Sequence, residues 1–280
     1  MQNNRYQRLL RVTLTAFLVF ILWGTISILF KGFDVTSFWG FGLSSLLSVL
    51  LIWVIGGKMY GLPKSTITIL SVFLVISGAF ILNGYKGWPF GFAFHQDILG
   101  YKFLKVAWPI PVFWTFFVSS AIMLVHPKKV SNDPKTLFSW SFDAAIVTMI
   151  LALIIEPLAA KTIAISWAQT GPVLGVPVSG ILGWFVTGFI SAFTAILASR
   201  IWQNYKNSSI KFTALALGLY QILFFALAFK NGTALLMILS SALAIIFLFL
   251  AYKNRSKNEP DMQVIASVTE TTVEVIEKID

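Results

Sequence analysis

Glu156 is the residue whose type and surroundings most clearly indicate chemistry. It follows an apolar run at residues 146–155 and precedes Pro157, which lacks a backbone donor and is expected to kink or end a helix. A charged side chain at a membrane helix centre costs about 2.5 to 3.5 kcal/mol, so its retention indicates pairing or function. Apolar surroundings favour the protonated carboxylic acid, which can donate a proton. The alternative is a carboxylate at an interfacial helix end.

Asp97 and His95 stand two residues apart in an irregular segment and are candidate site residues. The alternatives are a solvated loop or, for Asp97, a helix N-cap. Asp143 lies about 20 Å from Glu156 along a helix, so these two cannot form a catalytic carboxylate pair. His95 and His126 fall on opposite sides of the predicted topology. A His-rich metal centre is not expected, a site of one histidine with carboxylates stays open, and the predicted site includes no metal.

The composition places these residues in a membrane protein. Of the 280 residues, 57% are hydrophobic and 11% are charged, and the mean hydropathy is +0.82. A soluble domain carries about 25% charged residues, so the deficit indicates surface that faces lipid. The aromatic fraction of 15% exceeds what interface belts need and suggests an aromatic-lined interior or an apolar ligand.

Apolar runs long enough to cross a bilayer fill most of the chain. A hydrocarbon core needs about 20 apolar residues of helix, and suitable runs lie at residues 12–30, 38–55, 66–82, 106–125, 137–158, 178–199, 210–229 and 233–252. We therefore predict an all-α fold, a polytopic membrane bundle of about eight transmembrane helices. Residues 1–252 are expected to form one membrane domain, and residues 253–280 a polar, flexible cytoplasmic tail.

The basic residues predict the orientation. With eight spans, fifteen of the 21 Lys and Arg fall on the side of the two termini and six on the other side. The positive-inside rule then predicts a cell-membrane protein with cytoplasmic termini. The long loops at 83–105 and 159–177 meet on the outer face, where we expect the functional site. The net charge of +10 is attributed to orientation and anionic lipid, and nucleic-acid binding is not predicted.

Several classes of chemistry lose support. The chain has no cysteine, which excludes disulfides, thiolate nucleophiles and cysteine-ligated metals. No phosphate-binding, dinucleotide-binding, zinc-protease or serine-hydrolase motif occurs where its mechanism would need it. ATP-driven transport, nicotinamide chemistry and serine hydrolysis are therefore not expected, and we predict no cofactor.

Two segments resemble a known family. The first is GWPFGFAFHQDILGYKF at 87–103 with PIPVFW at 109–114, and the second joins Glu156-Pro157, Trp167, Gly171-Pro172 and GVPVSGILGWF at 175–185. They resemble the motifs of the carotenoid biosynthesis membrane-protein family, which includes carotenoid 1,2-hydratases of the γ-carotene hydroxylase and bisanhydrobacterioruberin hydratase type. The family usually has Asp at Glu156, a second Asp at Ala152, a Tyr near His95, and Asn-Phe at residues 180–181, where this chain has Gly-Ile.

The resemblance implies hydration of the terminal C1=C2 double bond of an acyclic carotenoid. A proton is delivered to C2, and water captures the tertiary cation at C1. The roles implied are Glu156 as acid, and Asp97 or His95 as the base that positions water. An aromatic face stabilises a desolvated cation by about 2 kcal/mol or more. The predicted substrate-binding residues are Trp88, Phe90, Trp108, Trp114, Trp167 and Trp184. The predicted structural residues of the motifs are Pro89, Gly91, Gly100, Pro157, Gly171, Pro172, Gly175, Pro177 and Gly183.

The partners implied are the carotenoid, the lipid bilayer and other membrane enzymes of the carotenoid pathway. Two alternatives stay open. The same cation can lose a proton, which gives isomerisation or cyclisation of the end group. A non-enzymatic carrier for a hydrophobic molecule, with Glu156 as a proton-coupling or gating residue, fits the prolines at helix ends, although the sequence has no convincing internal repeat of the kind found in transporters.

Overall fold

Eight helices account for most of the described chain. The computed structural model describes residues 2–31, 37–96, 99–127, 133–162, 164–203 and 210–253. The helices are α1 (Gln2–Lys31), α2 (Ser37–Tyr60), α3 (Leu62–Lys86), α4 (Pro109–Leu124), α5 (Pro134–Lys161), α6 (Val178–Ser199), α7 (Ile210–Lys230) and α8 (Ala234–Lys253). The predicted fold class, an all-α polytopic membrane bundle, is confirmed. The predicted tail lies outside the described residues beyond Lys253.

The short helix α4 forms the centre of the bundle. In the described part of the chain seven helices are long and apolar enough to cross a membrane, whereas α4 has 16 residues. The predicted span at 106–125 was too long, because the chain before Pro109 is extended. Proline suits the first turn of a helix, where its missing N–H costs nothing. All residues of α4 except Val112 and Leu124 are buried, so this helix packs against other helices rather than lipid.

Pro157 lies inside α5 and does not end it. The helix continues to Lys161, so of the two expected effects, a kink or an end, the end of the helix is wrong. A proline inside a helix removes one backbone hydrogen bond, and packing against neighbouring helices offsets this loss in a membrane bundle. Because α5 packs against α4 and α6, Glu156 faces the interior of the bundle.

Short strands bring the two predicted loops together. The strands are β1 (Ala93–His95), β2 (Lys102–Phe103), β3 (Val106–Ala107) and β4 (Ile165–Trp167). β1 in the first loop pairs antiparallel with β4 in the second, with His95 opposite Ile165, and β2 pairs with β3. The expectation that the two loops meet is confirmed. We call this end of the bundle the strand end.

Glycines in α6 let neighbouring segments approach closely. A Cβ atom on Gly183 would lie 2.7 Å from the backbone oxygen of Pro89 and 2.6 Å from Cδ1 of Phe90. A Cβ atom on Gly188 would lie 3.0 Å from Cβ of Thr148 in α5. The first loop and α5 therefore both pack directly on α6. This packing carries Trp184 into the interior between Phe90 and Glu156.

Candidate functional site

Glu156 is buried and hydrogen-bonded to a tryptophan. Its side chain is 3% exposed, and the indole N–H of Trp184 donates to its Oε1 atom at 2.7 Å. The two residues come from adjacent helices, α5 and α6, and from the two halves of the predicted second motif. A buried polar group normally has such a partner, because an unpaired one costs about 1 to 3 kcal/mol. The hydrogen bond fixes the orientation of the carboxyl group.

Glu156 lines a cavity in the half of the bundle next to the strand end. The cavity has a volume of about 330 Å³ and lies between α1, α2, α4, α5 and α7. This volume falls in the range of about 300 to 1,000 Å³ that is typical of small-molecule sites. Most of the lining is apolar, and its polar side chains are Ser27, Lys31, Ser44, Glu156, Thr162 and Tyr220. The arrangement suits an apolar ligand that meets a single carboxyl group.

An aromatic cluster stands beside the carboxyl group. The rings of Trp114 and Trp184 are stacked, with centroids 3.4 Å apart and an interplanar angle of 22°. Phe90 lies 4.7 Å from Trp184, and Phe80 lies 5.6 Å from it, between ring centroids. Trp114 lines the cavity, and the other rings pack behind it. The cavity wall therefore includes both Glu156 and an indole ring that is stacked on the partner of Glu156.

The other predicted aromatic residues occupy different places. Trp88 is 54% exposed at the strand end. The ring of Trp108 fills the space beside Gly42, where a Cβ atom would lie 2.9 Å from it, and Trp167 packs in the same way on Gly180, at 3.0 Å. Within the described residues, Trp114 is the one of the six predicted substrate-binding residues that lines the cavity.

Neither of the two predicted bases, Asp97 and His95, is among the described residues that line the cavity. Asp97 lies outside the described residues and stays a prediction. His95 is half-buried in β1, where its ring packs edge-on against Phe80 at 5.6 Å. Burial lowers the pKa of His95 to about 4; a hydrogen bond that the His95 ring donates to the backbone of Lys105 acts against this shift, and the charge of Lys102 adds to it. His95 is therefore neutral at pH 7 and a weak base, and its ring contacts Phe80, which also contacts Trp184.

The structural residues of the motifs shape the strand end. A Cβ atom on Gly171 would lie 2.1 Å from the backbone oxygen of Val176, so only glycine fits there. Gly91, Gly100 and Gly175 have positive φ angles, a conformation that favours glycine. Pro172 lies in the turn between Gly171 and Gly175, and Pro177 immediately precedes α6. These residues hold the two loops against α6.

Tyr220 is a site residue that the sequence analysis missed. It is 1% exposed in α7, lines the cavity, and its hydroxyl group forms a 2.7 Å hydrogen bond with Oγ of Ser48 in α2. Its ring lies 5.8 Å from Phe113 and 5.7 Å from Phe224, two further residues of the cavity wall. The available signal was the polar pair at residues 220–221 in the middle of an apolar run. The sequence analysis weighed charged groups and passed over neutral polar ones.

The comparison with protein families identifies the class of protein. The model of the family described as "Carotenoid biosynthesis protein" matches residues 40–251, which is most of the chain. The chain belongs to this family, and the resemblance at the level of the family is confirmed. No curated protein matches the chain, and no solved structure matches it. The protein thus has a role in carotenoid biosynthesis, and Glu156, Trp114 and Trp184 all lie within the matched region.

Proposed function

We propose that the protein adds water to the terminal C1=C2 double bond of an acyclic carotenoid. The observation that carries the proposal is the position of Glu156, a buried carboxyl group on the wall of an apolar cavity of about 330 Å³. Membership of the carotenoid biosynthesis family supports a polyene as the ligand. The cavity accommodates an end group, with the remaining polyene between the helices and in the lipid.

Glu156 supplies the proton in the first step. Its apolar surroundings favour the neutral acid, and the N–H of Trp184 holds Oε1, so Oε2 is the oxygen that carries the acidic proton. Transfer of this proton to C2 uses the electron pair of the double bond and leaves a tertiary cation at C1. Glu156 becomes a carboxylate, which the Trp184 N–H stabilises through a stronger, charge-assisted hydrogen bond.

Aromatic rings stabilise the cation until water captures it. Trp114, Phe113 and Phe224 line the cavity and present their rings to it. A desolvated aromatic face contributes about 2 kcal/mol or more to the binding of a cation. The water oxygen then forms the bond to C1, and the extra proton of that water passes to the Glu156 carboxylate, which restores the acid. The scheme consumes carotenoid and water and uses no redox cofactor, metal or nucleotide.

The proposal is tested by pigment analysis in a host that accumulates lycopene, with and without the gene. We expect a new pigment that is heavier by the mass of one water for each modified end. Glu156→Gln removes the acidic proton and keeps the shape of the side chain, so we expect at least about a hundredfold less product. Asp143→Asn is the matched control, because it is the same type of change at an exposed position of the same helix.

The outcomes separate the proposal from its alternatives. A product of unchanged mass would contradict hydration and favour isomerisation or cyclisation through the same cation. An unchanged pigment profile with inserted wild-type protein would contradict hydration of this end group and favour a carrier. Equal product from Glu156→Gln and wild type would rule out Glu156 as the proton donor.

A further inference from the structure

A second polar group faces the cavity from the opposite helices. Tyr220 lies in the middle of α7, and its hydroxyl group is held by Ser48 of α2 at 2.7 Å. Ser48 donates its own hydrogen to the backbone oxygen of Ser44. Either hydroxyl group can be the donor in the bond between Tyr220 and Ser48. When Ser48 donates to the backbone of Ser44, Tyr220 donates to Ser48, and the Tyr220 oxygen can accept a hydrogen bond from a molecule in the cavity.

The depth of Tyr220 distinguishes it from three other polar residues of the lining. Ser27 and Lys31 lie at the end of α1, and Thr162 lies just after α5, so all three are near the strand end. Tyr220 is 1% exposed and is surrounded by rings, including Phe17 at 5.5 Å and Phe117 at 5.0 Å. Ser44 also lines the cavity, and its side chain lies beside the Tyr220 hydroxyl group, so a water bound there meets two hydroxyl groups, as a buried water requires.

We propose that the Tyr220 hydroxyl holds the water molecule that captures the carotenoid cation. Tyr220 accepts a hydrogen bond from this water, which directs a lone pair of the water oxygen towards C1. The C–O bond forms with that lone pair, and the proton released by the water goes to the carboxylate of Glu156. This inference rests on the proposed hydration and assigns its water site, a role that the family resemblance implied for Asp97 or His95.

In this proposal Glu156 protonates C2 and the water held by Tyr220 captures the cation, and a variant can remove the second step without the first. Tyr220→Phe keeps the ring and removes the water-holding oxygen, while Glu156 still protonates C2. A cation without a positioned water loses a proton and returns to an alkene. In D₂O the proton added is deuterium, and part of it remains on the carbon chain. Loss of hydration with retained deuterium exchange is therefore the expected signature, and an unfolded protein cannot produce it.

The experiment uses membranes that contain the full chain, incubated with an acyclic carotenoid in D₂O buffer. Mass spectrometry measures hydrated product and deuterium in the unhydrated carotenoid. For Tyr220→Phe we expect about a tenfold loss of hydration with exchange retained, as for a lost hydrogen bond to a reacting group. Ser48→Ala should reduce hydration less, because it removes the hydrogen bond to the Tyr220 hydroxyl group and keeps the hydroxyl group itself. Tyr60→Phe is the matched control, since Tyr60 is also buried but stacks on His126 at the other end of the bundle.

The results that overturn the inference are distinct from those that overturn the proposed function. Tyr220→Phe that hydrates at the wild-type rate would show that water is held elsewhere. Loss of both hydration and exchange in Tyr220→Phe, with the protein still inserted, would assign Tyr220 to protonation or to structure and overturn the water site. Wild-type membranes that neither hydrate nor exchange would overturn the proposed hydration itself. Glu156→Gln should lose both activities.

Discussion

Trp184 joins the carboxyl group to the aromatic wall. Its N–H binds Glu156 at 2.7 Å, and its ring stacks on Trp114, which faces the cavity. A donor in this position holds the acid in one orientation before reaction and stabilises the carboxylate after proton transfer. Trp184 therefore acts on the chemistry through Glu156, and we regard it as a positioning residue.

Trp184→Phe tests this positioning role. It removes the indole N–H and keeps an aromatic ring, and we expect hydration to fall about tenfold, because a buried acceptor without its donor costs about 1 to 3 kcal/mol. Trp140→Phe is the matched control: Trp140 is 1% exposed, and its N–H donates to the backbone oxygen of Ile122 at 2.9 Å. Product yield per inserted protein is the measurement. Equal yields from the two variants would assign Trp184 a purely structural role.

The sequence analysis identified charged site residues more readily than neutral polar ones. Glu156 was found because a carboxyl group in an apolar run is conspicuous, and Trp184 was found through the motif. The pairing of these two residues was not predicted, since it depends on how α5 packs on α6. Tyr220 and Ser48 are 172 positions apart, and only the tertiary fold shows that their hydroxyl groups meet. Hydropathy cannot report such long-range hydrogen bonds.

At the scale of elements, α6 is the platform on which the site is assembled. Its residue Gly183 packs on the backbone of Pro89, and the next residue, Trp184, reaches Glu156. The same helix faces α5 through Gly188. Because a glycine leaves no side chain between the elements, a small change in α6 is transmitted directly to the first loop and to Trp184.

Gly183→Ala is expected to destabilise the protein by about 1 to 3 kcal/mol, as is usual for overpacking. Its Cβ atom would lie 2.7 Å from the Pro89 oxygen, and a backbone atom cannot rotate away. Gly78→Ala in α3 is the matched control, because nothing lies within 4 Å of its Cβ position, and alanine there should favour the helix by up to about 1 kcal/mol. Thermal unfolding in detergent measures both. A Gly183→Ala protein as stable as wild type would show that the loop can move away from α6.

The helices themselves were largely predictable, and their ends were not. Apolar runs located all eight because lipid requires long apolar segments. The start of α4 was misplaced, because residues 106–107 are apolar and form a strand, and their hydropathy is the same as it would be in a helix. Pro157 was expected to kink or end α5, and the helix does not end there but continues to Lys161. Hydropathy records burial, and it does not distinguish between the ways in which a buried segment is folded.

At the scale of the whole molecule, contacts between basic residues and helix ends confirm which ends lie together. Lys64 at the start of α3 donates to the backbone oxygen of Arg200 after α6, at 3.1 Å. At the strand end, Lys230 of α7 donates to the backbone oxygen of Leu29 in α1, at 3.3 Å. The end opposite the strands is the one that the sequence analysis found rich in basic residues. We therefore keep the prediction that this end faces the cytoplasm.

Single-cysteine labelling tests this orientation, because the natural chain contains no cysteine to interfere. Thr170→Cys places a thiol at an exposed position of the strand end, and Lys135→Cys places one at an exposed position at the start of α5, at the opposite end. In intact spheroplasts we expect a membrane-impermeant maleimide to label Thr170→Cys and not Lys135→Cys, since the basic end stays on the cytoplasmic side. After permeabilisation both should react, which controls for accessibility. The reverse pattern in intact spheroplasts would contradict cytoplasmic termini and would place the strand end, with the cavity opening that Lys31 lines, inside the cell.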